Sequence, residues 1–128
     1  MNKTIVGTGS LLGVLAVILG ALGAHALRDQ LDLTSLESYK TGVQYQMYHA
    51  LFLLFLGLYE KLPEGDRKWI FRLIVAGVLC FSGSIYGLST SGLSGLDLRS
   101  VGWVTPLGGL LLIAGWIWLL FRTLQDHS

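Results

Sequence analysis

The length of the uncharged apolar runs constrains this chain more than any other feature. The first run extends from Thr4 to Leu27, and the next charged residue is Arg28. A helix of ~20 apolar residues is long enough to cross the hydrocarbon core of a bilayer. The run also exceeds the roughly 7–15 apolar residues of a secretory signal peptide. We therefore predict a transmembrane helix that is retained in the mature protein.

Three further apolar segments follow, and polar turns separate them. Only 13% of the 128 residues are charged, whereas a soluble domain carries about 25%. The predicted fold is all-α: a polytopic, four-transmembrane-helix bundle in which residues 1–128 form a single transmembrane domain. The second helix is expected to begin at the membrane interface, over about 35–42. The four spans are expected at about 4–27, 43–59, 69–88 and 101–121.

Two local patterns indicate where helices begin. Thr34 and Glu37 match a capping box, in which both side chains satisfy backbone N–H groups at a helix start. The sequence leaves two starts open for the last helix. It begins near Val101 with a kink at Pro106, or at Pro106 itself with Thr105 as the N-cap residue. Because a start at Pro106 gives a span of only about 24 Å, we favour some helical structure before the proline.

The distribution of basic residues predicts the orientation in the membrane. Three of the nine Lys and Arg residues, Arg28, Lys40 and Arg99, flank one side. The other six lie by the termini or the central turn: Lys3, Lys61, Arg67, Lys68, Arg72 and Arg122. The positive-inside rule therefore places both termini in the cytoplasm. An aromatic belt would then place Trp69, Trp116 and Trp118 near the inner interface and Trp103 near the outer one.

Small residues recur at steps of three and four along two of the predicted helices. Helices in lipid associate by close packing, which small side chains permit. The simpler interpretation is packing inside the bundle, and the sharper one is that one stripe joins copies into a homo-oligomer. The candidate helix-packing residues are Gly9, Gly13, Ala16 and Gly20 in the first helix, and Ala76, Cys80, Gly83 and Gly87 in the third.

Composition and motifs exclude several classes of function. A formal net charge of +1 gives no basic excess for nucleic acid. The single cysteine, Cys80, excludes a disulfide or a cysteine metal site within one chain. No Asp or Glu lies within the predicted spans, although proton-coupled pumps usually need one there. No phosphate loop, metal-ligand cluster or nucleophile motif occurs. We therefore predict no catalytic residue, metal or cofactor, and a protein that is not an enzyme.

Polar side chains inside the spans outline a candidate ligand-binding pocket in the outer half of the membrane. His49 lies about 9 Å into the bilayer if its span begins at Val43, and an ionisable residue at such depth is a functional hypothesis. The simpler interpretation is a neutral His49 that hydrogen-bonds a neighbouring helix. A contact between His25 and His49 is geometrically feasible. The candidate pocket consists of His25, Tyr45, Tyr48, His49, Ser82, Ser84 and Tyr86.

Four segments together resemble a known family. They are Gly20–Leu27, Tyr48–Leu51, Phe81–Tyr86 and Val104–Gly109. In this order and spacing, the chain is similar over nearly its whole length to small bacterial inner-membrane proteins of the YgdD and YwdK type, a family known by a domain of unknown function. The resemblance implies a four-helix fold in the bacterial cytoplasmic (inner) membrane. It implies no activity, substrate or catalytic residue.

Three functions remain open from the sequence. The first is a non-enzymatic bundle that binds membrane lipid or an unidentified membrane protein partner. The second is a small oligomeric transporter or channel with a polar pocket around His49. The third is a redox protein in which His25 and His49 ligate haem or a metal, since paired histidines on facing helices suit haem in a bundle.

Overall fold

The computed structural model describes residues 1–125, and these contain helices and no strand. The chain forms four long helices, together with a one-turn helix and a 3₁₀ turn before the last of them. The all-α class is therefore confirmed. The elements are α1 Lys3–Ala24, α2 Leu33–Leu58, α3 Glu64–Ser89, α4 Ser91–Ser94, a 3₁₀ turn Arg99–Val101, and α5 Val104–Leu124.

Helix α2 begins earlier than predicted and runs without a break into its apolar half. Its N-cap residue is Asp32, whose carboxylate accepts a hydrogen bond of 2.7 Å from the Ser35 backbone N–H. The predicted capping box at Thr34 and Glu37 is therefore wrong. Asp is among the preferred N-cap residues, and with Asp32 in this position the helix begins two residues earlier than predicted. The N–H bond also lowers the pKa of Asp32 below its ordinary value.

The start of α5 resolves the alternatives at the proline. The helix begins at Val104, so Pro106 lies in its first turn. Backbone N–H groups in a first turn have no partner inside the helix, so a residue without an N–H costs little there. The 3₁₀ turn before it leaves helical structure ahead of the proline, as favoured above, without a continuous helix from Val101.

The four long helices pack in chain order, each antiparallel to the one before it. α1 packs on α2, α2 on α3, and α3 on α5. The N-terminus, the end of α5 and the turn between α2 and α3 therefore share one end of the bundle, where Arg122 pairs with the buried Asp66 at 3.0 Å. Trp118 donates a second hydrogen bond to the same carboxylate oxygen. We call this the terminal end, and the other the loop end.

The predicted small-residue stripe of α1 faces α2. Ala16 is buried, and a side chain at Gly9 would come within 2.9 Å of the Ala50 carbonyl oxygen. Gly13 and Gly20 have more room, since an added Cβ would lie 3.9 Å from Ala50 and 3.4 Å from Val43.

The predicted stripe of α3 does not pack on α5. Ala76 and Gly83 are exposed, and nothing lies within 4 Å of a Cβ added at Gly83. Cys80 is only half-buried, and Gly87 lies against Leu98 in the loop. The α3–α5 contact instead uses Gly77, which follows Ala76 in α3, together with Gly108 and Gly115 of α5.

Polarity is distributed in the reverse of a soluble protein. Large apolar side chains such as Leu11, Val17, Leu79 and Leu110 are exposed, whereas Gln46, His49 and Ser82 are buried. Three stretches are long and apolar enough to cross a membrane: Lys3–Ala24, Glu64–Ser89 and Arg99–Leu124. Helix α2 is as long as α3 but is not among them. The membrane class is thus confirmed, and the count of four spans stays a prediction.

Candidate functional site

Polar side chains on one side of α2 join three helices by hydrogen bonds. The Tyr86 hydroxyl of α3 donates to Gln46 Oε1 of α2 at 2.6 Å, and Gln46 Nε2 donates to the Leu12 carbonyl of α1 at 2.9 Å. Two single hydrogen bonds lie beside these two. Ser82 donates to the Gly42 carbonyl at 2.7 Å, and the Tyr39 hydroxyl donates to the Leu19 carbonyl at 2.6 Å. We call these contacts the brace.

The brace accounts for two of the predicted pocket residues. Ser82 and Tyr86 use their hydroxyl protons on partners in α2. An unpaired polar group in hydrocarbon costs several kcal/mol, so these bonds hold the helices in one register. Gly42 makes the arrangement close, since a Cβ there would lie 2.9 Å from the Tyr86 ring. This side of α2 is therefore filled rather than open.

His49 lies three residues beyond Gln46 on the same helix and has partners for both ring nitrogens. Nδ1 is 2.7 Å from the Tyr45 carbonyl oxygen, one turn earlier in α2. Nε2 is 3.0 Å from the indole nitrogen of Trp116 in α5. A carbonyl only accepts and an indole N–H only donates. His49 must therefore carry its proton on Nδ1 and be neutral, because a proton on Nε2 would face the Trp116 N–H.

The structure does not bring His25 to His49. His25 is exposed at the end of α1, beside Gly23, which contacts Tyr39. His49 lies ten residues further along α2 than Tyr39, about 15 Å of helix. The proposed histidine contact is therefore wrong, and so is the ligand pair behind the haem hypothesis. Residues 1–125 also contain no group of three or more side chains suited to hold a metal ion.

The remaining predicted pocket residues lie near the α2–α5 gap or outside it. Tyr45 packs on Phe81 with ring centroids 4.9 Å apart. Ser84 hydrogen-bonds the hydroxyl of Thr105 and thereby joins α3 to α5. Tyr48 is 54% exposed, and its ring lies beside that of Tyr45 with centroids 5.6 Å apart. The seven predicted residues thus belong to different surfaces rather than to one pocket.

A cleft separates α2 from α5 and has α3 as its floor. Its deeper part is a cavity of about 320 Å³ between Tyr45 and His49 of α2, Phe81 of α3, and Gly109 and Trp116 of α5. Tyr45 and Trp116 are 39% and 48% exposed, so the cavity opens sideways at the surface of the bundle. Apolar and aromatic groups form most of its wall.

A second cavity of about 400 Å³ lies at the loop end of the same cleft. Thr41 of α2, Ile85 of α3 and Thr105 of α5 all line it. Each is one helical turn from a residue of the deeper cavity: Tyr45, Phe81 and Gly109. The two cavities are therefore neighbours along all three helices. We call the two cavities together the α2–α5 cleft.

Sequence reasoning missed Gln46 and Trp116, the two residues that most define these surfaces. A glutamine in an apolar span is a signal that could have been used, since it needs partners in hydrocarbon. Trp116 was expected at the inner interface, with no partner assigned to it, and the structure shows it hydrogen-bonded to His49. Its bond depends on how α5 is rotated about its axis.

The fold and the cleft define a small helical membrane protein with lipid-exposed apolar faces and an internal polar brace. A profile described as "Protein of unknown function (DUF423)" matches residues 19–109. Because this match covers more than half of the chain, the protein belongs to the DUF423 family.

Relatives of this chain in bacteria and in a yeast share the description UPF0382 membrane protein. The chain is 41% identical to the UPF0382 membrane protein YwdK of Bacillus subtilis, over 96% of this chain and 98% of that one. It is 35% identical to the UPF0382 membrane protein SSP2132 of Staphylococcus saprophyticus, with the same coverage of both chains. It is 36% identical to the UPF0382 membrane protein C1782.12c of Schizosaccharomyces pombe, over 91% of this chain and 98% of that one. The predicted resemblance is confirmed, and no solved structure matches the chain.

Proposed function

We propose that this protein is a non-enzymatic, lipid-binding helical bundle, and that the α2–α5 cleft receives membrane lipid. The observation that carries this proposal is the deeper cavity, which opens between two helices whose outer faces are apolar. Its volume, about 320 Å³, is within the usual range for ligand sites of about 300–1,000 Å³. Aromatic and aliphatic walls suit an acyl chain.

The polar residues support binding over transport. A transporter needs polar groups that are free to meet a solute on its way across the membrane. Here Gln46, Ser82 and Tyr86 are bonded to neighbouring helices. Both nitrogens of His49 are bonded as well. A homo-oligomer and a protein partner stay predictions, and the exposed small residues of α3 are where a copy would pack.

The proposed setting is the cytoplasmic membrane of a bacterial cell, with four spans and both termini inside. Although α2 is too polar to be identified as a span by composition, it contacts α1 from Gly57, beside Asn2, to Tyr39, beside Leu19. A helix that follows a spanning helix over this length crosses with it. Thiol labelling in a Cys80→Ala background tests the orientation: Ser94→Cys should react from outside intact cells and Lys61→Cys only after lysis.

Native mass spectrometry of the protein from mild detergent tests lipid binding. A leucine at Gly109 would project into the cleft without a clash, since its Cβ would lie 3.8 Å from the Phe81 ring. A leucine at Gly83 would project into open space outside the cleft. We expect one bound lipid per chain in the wild type and in Gly83→Leu, and none in Gly109→Leu. Equal retention by the two variants, or a lipid-free wild type, would contradict the proposal.

A further inference from the structure

The α2–α5 cleft changes in chemistry along its length. At the loop end its wall carries hydroxyl groups, among them Ser38, Thr41 and Ser89. At the deeper end it carries Phe81, Leu112 and other apolar or aromatic side chains. A ligand that fits both parts has a polar head and an apolar tail, with the head at the loop end.

The length of the cleft matches one leaflet. From Ser38 to His49 along α2, and from Thr105 to Trp116 along α5, there are eleven residue steps, or about 16 Å. Half of a bilayer core is about 15 Å thick. The bonded pair of His49 and Trp116 closes the deep end, since it joins the two walls of the cleft. One acyl chain entering from the loop-end leaflet would therefore fill it.

The wall of the cleft carries no formal charge. Neither cavity is lined by Asp, Glu, Lys or Arg among residues 1–125, and the hydrogen bonds of His49 keep that side chain neutral. A phosphate or carboxylate head would thus leave water without a cationic partner. Desolvation of an unpaired ion is costly, so such a head is disfavoured.

The hydroxyl groups at the loop end are arranged to accept hydrogen bonds. Thr41 donates its proton to the Glu37 carbonyl at 3.1 Å, and Ser89 donates to the Ile85 carbonyl at 2.6 Å. A hydroxyl oxygen that has donated its proton keeps two lone pairs. These lone pairs face a ligand as acceptors, so they are best matched by a head group that donates.

We infer that the α2–α5 cleft selects an uncharged lipid with a hydroxyl-bearing head group, and that this head lies between Thr41 and Ser89 while one acyl chain extends to His49. The inference rests on the proposed lipid-binding function and adds the class of lipid. A monoacylglycerol has the required chemistry: glycerol hydroxyls that donate, no charge, and a single chain.

A binding titration in detergent, followed by native mass spectrometry, tests the selection. The probes are monooleoylglycerol and oleoyl lysophosphatidylglycerol, which share one chain and differ in head-group charge. We expect the neutral probe to bind about tenfold more tightly or better, because only the anionic head loses its hydration without a partner. Gly109→Leu should abolish the binding of both probes.

A matched pair of threonines tests the position of the head. Thr41 in the cleft and Thr8 on the outer face of α1 each donate to the carbonyl four residues earlier in their own helix. Thr41→Val should weaken the neutral probe about three- to tenfold through loss of one acceptor. Thr8→Val should leave its affinity unchanged. Ser38→Ala, at an exposed cleft position, provides a second variant that should weaken the neutral probe as Thr41→Val does.

The outcomes separate the two proposals. Equal affinity for both probes, or a preference for the anionic one, would overturn the head-group inference if Gly109→Leu still blocks binding. Lipid binding itself would then stand. Neutral-lipid affinity that is unchanged in both Thr41→Val and Ser38→Ala would also overturn the inference. Binding that Gly109→Leu does not alter would contradict the lipid-binding cleft and the inference together.

Discussion

Two adjacent faces of α2 carry polar residues, and they bind the neighbouring helices to different extents. Toward α1 and α3, Gln46 hydrogen-bonds both neighbouring helices. The nearby hydroxyls of Ser82 and Tyr39 donate to backbone carbonyls. Toward α5, a single side-chain hydrogen bond, from Trp116 to His49, crosses between the two helices in the described chain. The first side is closed, and the second leaves a cleft.

The difference shows what holds helices together where water is absent. Lipid tails are as apolar as leucine, so apolar burial alone favours no particular partner. Internal hydrogen bonds and close backbone contact decide which surfaces meet. α2 has both toward α1 and α3, and little of either toward α5, whose glycines are used on α3.

Leucine substitutions at two adjacent glycines of α5 should differ most in their effect on stability. A Cβ at Gly108 would overlap the Phe81 backbone nitrogen, and backbone cannot move aside as a side chain can. We expect Gly108→Leu to lower the free energy of unfolding in micelles by about 3 kcal/mol or more. Gly109→Leu, which faces the cleft, should change it by less than about 1 kcal/mol. Equal costs would show that the cleft is not open.

Two glutamines on α2 test the brace. Gln46→Leu leaves the Tyr86 hydroxyl without its acceptor and removes the side-chain bond to the Leu12 carbonyl, and we expect it to cost about 1–2 kcal/mol. Gln44 is exposed on the same helix, so Gln44→Leu should be neutral or stabilising in a micelle. Denaturant unfolding followed by circular dichroism measures both. A Gln46→Leu variant as stable as Gln44→Leu would remove the brace from the account.

A double-mutant cycle tests the single link across the cleft. His49→Phe and Trp116→Phe each remove one partner of the hydrogen bond, and the pair should be coupled by about 0.5–1.5 kcal/mol. The coupling energy between His49 and Trp116 should be smaller than that between Gln46 and Tyr86, because Gln46 hydrogen-bonds two helices. Nitrogen NMR should also find the proton on Nδ1 of His49. Additive losses, or a proton on Nε2, would contradict the assigned contact.

The N-cap of α2 should have the smallest effect, confined to the loop end. Asp32→Ala removes the carboxylate that accepts a hydrogen bond from the Ser35 N–H. The melting temperature of the variant should therefore be slightly lower than that of the wild type at neutral pH. The pKa of Asp32 is lowered in the fold, so its contribution is present above the unfolded pKa and is lost as pH falls through the folded pKa. Wild type and Asp32→Ala should therefore converge in acid. Thr34→Ala serves as the control and should match wild type at every pH.

The sequence was sufficient for the class of fold because apolar length is a direct measure of membrane crossing. It also located the face of α1 that contacts α2, since Ala16 and Gly9 follow the helical period. The same period failed on α3, where Ala76 and Gly83 face outward and Gly77 makes the contact. A lipid-facing side and a packed side are both apolar, so periodicity cannot rank them.

The candidate site was harder to predict because it depends on helix rotation. His49 was identified from its depth alone, but its partner Trp116 lies 67 residues away in the chain. Aromatic residues near helix ends usually mark an interface, and that rule says nothing about a hydrogen bond from Trp116 to His49. Apart from the bond between Trp116 and His49, no side-chain hydrogen bond in the described chain joins α2 to α5, so the sequence pattern does not signal the cleft.

Intermolecular NOEs between a bound lipid and the protein methyl groups test the central claim most directly. With monooleoylglycerol in deuterated detergent, chain-terminal protons should contact Leu112 and Ile113, and glycerol protons should contact Ile85 and Leu88. These four residues line the two cavities. The account predicts this division and its loss in Gly109→Leu. Contacts spread evenly to outer-face methyl groups such as those of Val17 and Leu79 would contradict a lipid-binding cleft.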